Sequence, residues 1–274
     1  VGDKHSYTAI ALLNLGRALT SLARYDEAQA ALDEAWSIYE ALFGAEHQHA
    51  VRVLSARAEL ELVRGRYASA ERQLRRVVEL SHRVFGPKHR ETAANFNLLG
   101  ITLRELGRLD EAVDLQRQAL AIRVASLGAD HPDNAPVDRA LALTYISRNE
   151  LPAAEAALRE AMRIEAKADV ADMLPAALTR GVQGWLLHLQ GNDAAALEAL
   201  NAAVTFQRGA LGDLHPDVGR TLVHLGEIEC ANGLTSPGRE HLGLGVKALQ
   251  PLVDPRLAQA IKALNQCTLP VASR

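Results

Sequence analysis

The strings Gly44-Ala45-Glu46-His47, Gly86-Pro87-Lys88-His89, Gly128-Ala129-Asp130-His131 and Gly212-Asp213-Leu214-His215 recur in one register. His5, His47, His89, His131 and His215 stand on an arithmetic series with a step of 42, whose missing member is Met173. Glycine precedes each histidine by three residues, from Gly2 to Gly212, and Val170 breaks that track where Met173 breaks the other. So regular a step in a scarce residue type means that one structural unit is repeated. Small residues recur at Gly16, Ala58, Gly100, Ala142, Gly184 and Gly226, and again at Ala28, Ala70, Ala112, Ala154, Ala196 and Gly238. Leu32, Leu74, Leu158, Leu200 and Leu242 form an apolar column in which Gln116 is the exception. Six units follow, at about 5–46, 47–88, 89–130, 131–172, 173–214 and 215–253, within one array spanning 1–253.

Composition agrees with such an array. Each unit touches only its neighbours, so 274 residues read as one repeat domain. Aromatic residues are only 4%, as expected where helices approach closely over small side chains. A net charge of −3 argues against a nucleic-acid partner, which needs clustered excess lysine and arginine to neutralise phosphates. No apolar run is long enough to span a bilayer, and no secretory signal opens the chain, so no membrane partner is expected. Cys230 and Cys267 have a spacing that suits neither a zinc site nor a redox pair, which leaves a reducing, cytoplasmic setting as the expectation. Val1 sits in the tail of a repeat linker and reads as the start of a segment cut from a longer protein.

Each unit reads as two amphipathic helices of about 17 residues joined by short turns. Leu12, Leu15, Gly16 and Leu19 give the buried stripe of the first; Ala28, Leu32, Ala35, Trp36 and Tyr39 that of the second, with Asp26 placed to cap it. Gly65-Arg66-Tyr67 and Gly107-Arg108-Leu109-Asp110 restate the turn, with glycine supplying the left-handed conformation that ends a helix. At the far end, Asp254-Pro255 starts one more helix, about 255–266, with Leu257, Ile261 and Leu264 on one face. Segment 254–274 therefore reads as a capping helix and tail.

Leu13-Asn14-Leu15-Gly16, Gly107-Arg108-Leu109-Asp110-Glu111-Ala112 and Leu127-Gly128-Ala129-Asp130-His131-Pro132-Asp133 resemble the tetratricopeptide repeat family, in the 42-residue form of kinesin light chains and many bacterial signalling proteins. The resemblance covers nearly the whole chain. It implies an all-α, right-handed α-solenoid of six helix-turn-helix units plus the capping helix.

The histidine corner has two readings. An imidazole just ahead of a helix can bond backbone groups left open there, and in His131-Pro132-Asp133 and His215-Pro216-Asp217 the proline and aspartate suit a helix start. The other reading is zinc. Successive histidines one helix spacing apart, roughly 8–10 Å, are too far from one another for ligands that must lie about 2.1 Å from the metal. Capping is the expectation, and no metal or cofactor is assigned.

By the resemblance, the first helix of each pair lines a concave groove. Matching positions then implies three columns, at 13, 55, 97, 139, 181, 223; at 17, 59, 101, 143, 185, 227; and at 20, 62, 104, 146, 188, 230. They contain the candidate binding residues Arg17, Asn97, Ile101, Arg104, Arg139, Leu143, Trp185 and His188. Apolar patches beside separated arginines suit a protein or peptide segment with aliphatic and acidic side chains. Trp185 is either a binding anchor or a plug beside the Met173 irregularity. The asparagine ladder of kinesin light chains is mostly absent, with Asn14 and Asn97 as remnants. His188 and Cys230 share a column, but with no third group to orient them they read as ordinary surface or core residues.

No phosphate loop, nucleophile elbow, zinc-protease helix or kinase signature occurs, so the chain reads as a non-enzyme. The first function reading is an interaction scaffold. The second, also implied by the resemblance, is a regulatory sensor region of a larger bacterial signalling protein, such as a serine/threonine kinase or a nucleotide-binding switch protein. The third is self-association through the exposed end of the first unit. Residues 165–175 lack both glycine and histidine of the corner, so an altered repeat-to-repeat rotation is expected there, with Trp185 at a bend.

Overall fold

The computed structural model describes residues 5–170 and 173–267. Among the described residues there are helices and turns and no strand. The helices run in six consecutive pairs: α1 (Ser6–Ser21) and α2 (Tyr25–Phe43), α3 (Gln48–Val63) and α4 (Tyr67–Val84), α5 (Arg90–Glu105) and α6 (Leu109–Leu127), α7 (Ala135–Ser147) and α8 (Leu151–Lys167), α9 (Leu174–Leu189) and α10 (Asp193–Leu211), α11 (Pro216–Ala231) and α12 (Thr235–Leu249). A last helix, α13 (Pro255–Gln266), follows. A 3-10 turn, Pro132–Asn134, replaces the first turn of the fourth pair. The chain divides into two compact units between Arg148 and Asn149, inside the fourth repeat. In the first, α1, α3, α5 and α7 stack in sequence as one layer, with α2, α4 and α6 as the second; in the second, α9, α11 and α13 stack in the same way.

The corner histidines are helix caps. In His5, His47, His89, His131 and His215 the Nδ1 atom accepts the backbone N–H two residues on, at 3.1–3.4 Å. Each therefore satisfies one of the donors left open at a helix start. Replacing His89 with alanine is expected to cost about 1 kcal/mol, while asparagine, a good capping residue, recovers most of it. Urea midpoints of the two variants measure this; equal midpoints for His89→Ala and the parent chain would remove the capping role.

Chain reversals follow a finer period than the histidines. Ala23, Gly44, Gly65, Gly86, Gly107, Gly128, Asn149, Gly191, Gly212 and Gly233 all have φ between +57° and +94°, on a series with a step of 21. The one vacancy falls on Val170, whose branched side chain disfavours positive φ. Asp169 takes the left-handed conformation instead, at φ +57°. Val170 N–H then donates to Glu165 O at 3.1 Å and Asp169 N–H to Ala166 O, as Arg24 and Ala23 do to Leu19 O and Thr20 O. The fourth corner thus adopts the tight turn found inside a repeat. Met173 heads α9 without a side-chain cap. Residues 171 and 172, part of the segment where an altered rotation is expected, lie outside the described residues.

The small-residue column is a matter of contact distance. A Cβ at Gly16, Gly100, Gly184 or Gly226 would stand 2.6–2.8 Å from the side chain of Leu32, Gln116, Leu200 or Leu242 respectively. The two columns are therefore one set of helix crossings. Gln116 breaks the leucine pattern because its buried Oε1 accepts the Thr144 hydroxyl at 2.8 Å.

Three local readings are corrected. The buried face of α1 is Ala9, Leu13, Gly16 and Leu19, whereas Leu15 is 50% exposed; the helix is rotated so that Leu13 faces α2 and α3. Asp26 does not cap α2, because the helix begins one residue earlier; it pairs instead with Arg64 of the next repeat. On α13 the covered residues are Leu257, Ala260 and Leu264, at i, i+3 and i+7, and Ile261 flanks that stripe, exposed.

Candidate binding faces

In the first unit the columns expected to line a groove separate by burial. Leu13 and Ser55 belong to the core, and the Ser55 hydroxyl donates to Asn95, whose amide donates to Ser81 at 2.7 Å. Gly181 and Val223, in the same column of the second unit, are likewise buried. Asn97 and Arg139 of that column are half-buried. The second column stays at the surface. Arg17 is exposed, and Glu59, Ile101 and Leu143 are half-buried on successive first helices. Burial pushes the Glu59 carboxyl above its ordinary range, against the pull of the Arg17 charge.

Asn97, Ile101 and Arg104 lie at i, i+4 and i+7 on one face of α5. Arg104 pairs with Glu105, yet its Nη1 is buried without a hydrogen-bond partner, and so is Asn97 Oδ1. Both atoms are shielded from solvent, and a buried donor or acceptor left open costs about 1–3 kcal/mol.

The second unit carries different chemistry. Trp185, His188, Glu227, Gln259 and the Cys230–Cys267 pair border a cleft of about 520 Å³ between α9, α11 and α13. Trp185 is half-buried, and its ring stacks on His224 of α11 with centroids 4.0 Å apart. His188 Nδ1 is held by Asp193 Oδ1 at 2.7 Å, and Asn232 donates to the other oxygen of Asp193. These bonds hold the Asp193 carboxyl below its usual range, the Asn232 contact foremost and His188 next. His188 thus ties α9 to α10 while lining the cleft. Glu227 accepts a hydrogen bond from Gln259 Nε2 at 2.8 Å and lies 3.8 Å from His224 Nδ1. Burial lowers the His224 imidazole below its ordinary value, against the opposing pull of the Glu227 carboxylate.

Two features of this cleft escape sequence reasoning. His224 belongs to none of the three columns; only contact with Trp185 reveals it. Cys230 and Cys267 form a disulfide, with Cα atoms 5.5 Å apart across 37 residues. That corrects their reading as an unpaired couple and removes cysteine usage as a ground for a reducing compartment. No helix among the described residues is long and apolar enough to cross a membrane.

The sequence model of the tetratricopeptide repeat matches residues 7–81, 49–123 and 106–166, together more than half of the chain. The clustered mitochondria protein homolog of Homo sapiens is 24% identical over 184 residues, which is 67% of this chain and 14% of that protein's own length. Among solved structures, the nearly identical TPR-like repeats of a Podosopora anserina protein described as a kinesin light chain superpose with a TM-score of 0.57 at 20% identity, covering 75% of this chain and 97% of that one. A Rap protein complexed with Competence and Sporulation Factor superposes with a TM-score of 0.66 at 13% identity, covering 96% of this chain and 86% of that one. Identities this low carry the fold and no more.

Proposed function

The chain belongs to the tetratricopeptide repeat family, and from that premise we propose that it is an interaction scaffold whose first-helix layer docks a peptide or a segment of a partner protein. The observation that carries the reading is the α5 row. Asn97 and Arg104 are half-buried polar side chains on that face, an amide suited to a peptide backbone and a guanidinium suited to a carboxylate, separated by the roughly 10 Å rise of seven helical residues. Ile101 between them offers apolar contact. An extended segment with an acidic side chain three or so residues from the bonded N–H spans that distance. Arg17, Arg139 and Leu143 extend the same mixture of charge and apolar surface on α1 and α7. A fold relative complexed with a named factor, the Rap protein, agrees with docking as the mode of action. Binding, with no reaction, is the activity this reading assigns.

A peptide array probed with the full chain tests it. Peptides with an acidic residue in an extended context are expected to be captured, and Arg104→Gln should weaken them by about tenfold, the equivalent of one lost charge-assisted bond. Asn97→Ala should weaken acidic and neutral peptides alike. Unchanged capture by both variants, with helix content intact, would reject this face.

A further inference from the structure

We infer that the cleft bordered by Trp185 and Glu227 is a receptor for a cationic side chain, an arginine or lysine presented by a partner protein segment. The inference rests on the scaffold reading and assigns the second unit a ligand chemistry opposite to that of the α5 row. Glu227 is the decisive group. Its side chain is only 17% exposed, and its polar neighbours are the Gln259 amide and the His224 ring. Among the described residues no lysine or arginine lines the cleft. Among the described residues no lysine or arginine forms an ion pair with this carboxylate, and a cation entering the cleft supplies one.

The walls suit that guest. Trp185 presents an indole within the same cleft as Glu227, the combination of aromatic surface and anion that favours guanidinium and ammonium groups. The His224 ring backs the indole and holds it in place. His188 does not compete for the guest, because Asp193 already holds its Nδ1. A volume of about 520 Å³ accommodates an arginine side chain with some of its hydration. Charge on a larger scale points the same way: residues 149–274 carry fourteen acidic and eleven basic side chains, so the chain's whole net charge of −3 resides in this half.

The test uses the full chain and two short blocked peptides, acetyl-Ala-Arg-Ala-amide and its citrulline counterpart, which differ in charge and hardly in shape. The Trp185 indole N–H resonance reports occupancy. The arginine peptide is expected to shift it saturably, at a dissociation constant roughly tenfold below that of the citrulline peptide. Glu227→Gln, nearly isosteric, should abolish the difference between the two. Equal binding of both peptides to the parent chain would overturn the inference without recourse to any variant. So would an arginine preference that survives Glu227→Gln. If acidic peptides still bind through Arg104 in that case, the scaffold reading stands and only the cationic pocket falls.

Discussion

Replacing Cys230 and Cys267 together by serine is expected to destabilise the second unit by about 3–4 kcal/mol, the largest effect of any change considered for this chain. The bond closes a loop of 37 residues from the end of α11, through α12, to the end of α13. Opening that loop restores conformational freedom to the unfolded chain, and this sets the magnitude in the chain-entropy account. The folded side changes as well. Cys267 is 6% exposed, and Arg239 Nη1 donates to its carbonyl at 2.6 Å, so the end of α13 is docked on α12 as well as bonded to α11. Without the disulfide these contacts must hold a twelve-residue helix by themselves. Short helices are marginal unless packed. Amide exchange should therefore quicken across α13 first, and unfolding of the second unit should move to lower urea. A double-serine variant whose exchange and midpoint match the oxidised chain would show that packing alone secures the capping helix.

The opposite end of α13 is pinned electrostatically, and Asp254→Ala is expected to cost about 2–4 kcal/mol. The Asp254 side chain is only 1% exposed and accepts the Arg256 N–H at 2.9 Å as the helix cap. It also pairs with Arg256 at 3.0 Å and with Arg220 of α11 at 3.3 Å. Alanine removes the cap and the carboxylate shared by Arg220 and Arg256, leaving Arg220 its bond to Asp217 at 2.6 Å. Burial by itself would raise the Asp254 carboxyl, but Arg256 and Arg220 together outweigh it and hold it below the ordinary carboxylate value. A depressed folded value contributes stability that is complete above the unfolded value, near 3.9, and fades as pH falls through the folded one. Acid should therefore loosen α13 in the parent chain. Asp254→Asn keeps a capping side chain and loses the charge, so its stability should be lower at neutral pH and flatter toward acid. An asparagine variant with the parent's acid profile would assign that profile to other carboxylates. Both pins act on one helix, so losses from combining Asp254→Ala with the cysteine changes should fall short of additive once α13 has undocked.

Sequence reading succeeded where a signal repeats and failed where a partner is singular. The step of 42 carried the helix-turn-helix arrangement, the capping histidines and the tight helix crossings, because every copy reports the same local requirement. Val170 and Met173 marked the irregular corner correctly, but the transfer of the left-handed turn to Asp169 was a choice between neighbouring residues that backbone hydrogen bonds made. Leu13 and Leu15 are equally apolar, and only the rotation of α1 against α2 and α3 buries one and exposes the other. The same holds for Ile261, which flanks the covered face of α13.

For the candidate sites the division is sharper. The columns that hold Ile101, Arg104, Trp185 and His188 were legible, because they follow from the spacing of the repeats alone. Their partners were not. The stacking of His224 on Trp185, the enclosure of Glu227 beside Gln259 and the bond between Cys230 and Cys267 each join residues from different parts of a fold. By itself the sequence determined the period, the helix order and the family, since these rest on local propensities and spacings repeated along the chain. Tertiary structure alone decided which polar groups are paired, which stand open and how the last helix is held, because those depend on distances between residues that the repeat pattern leaves independent.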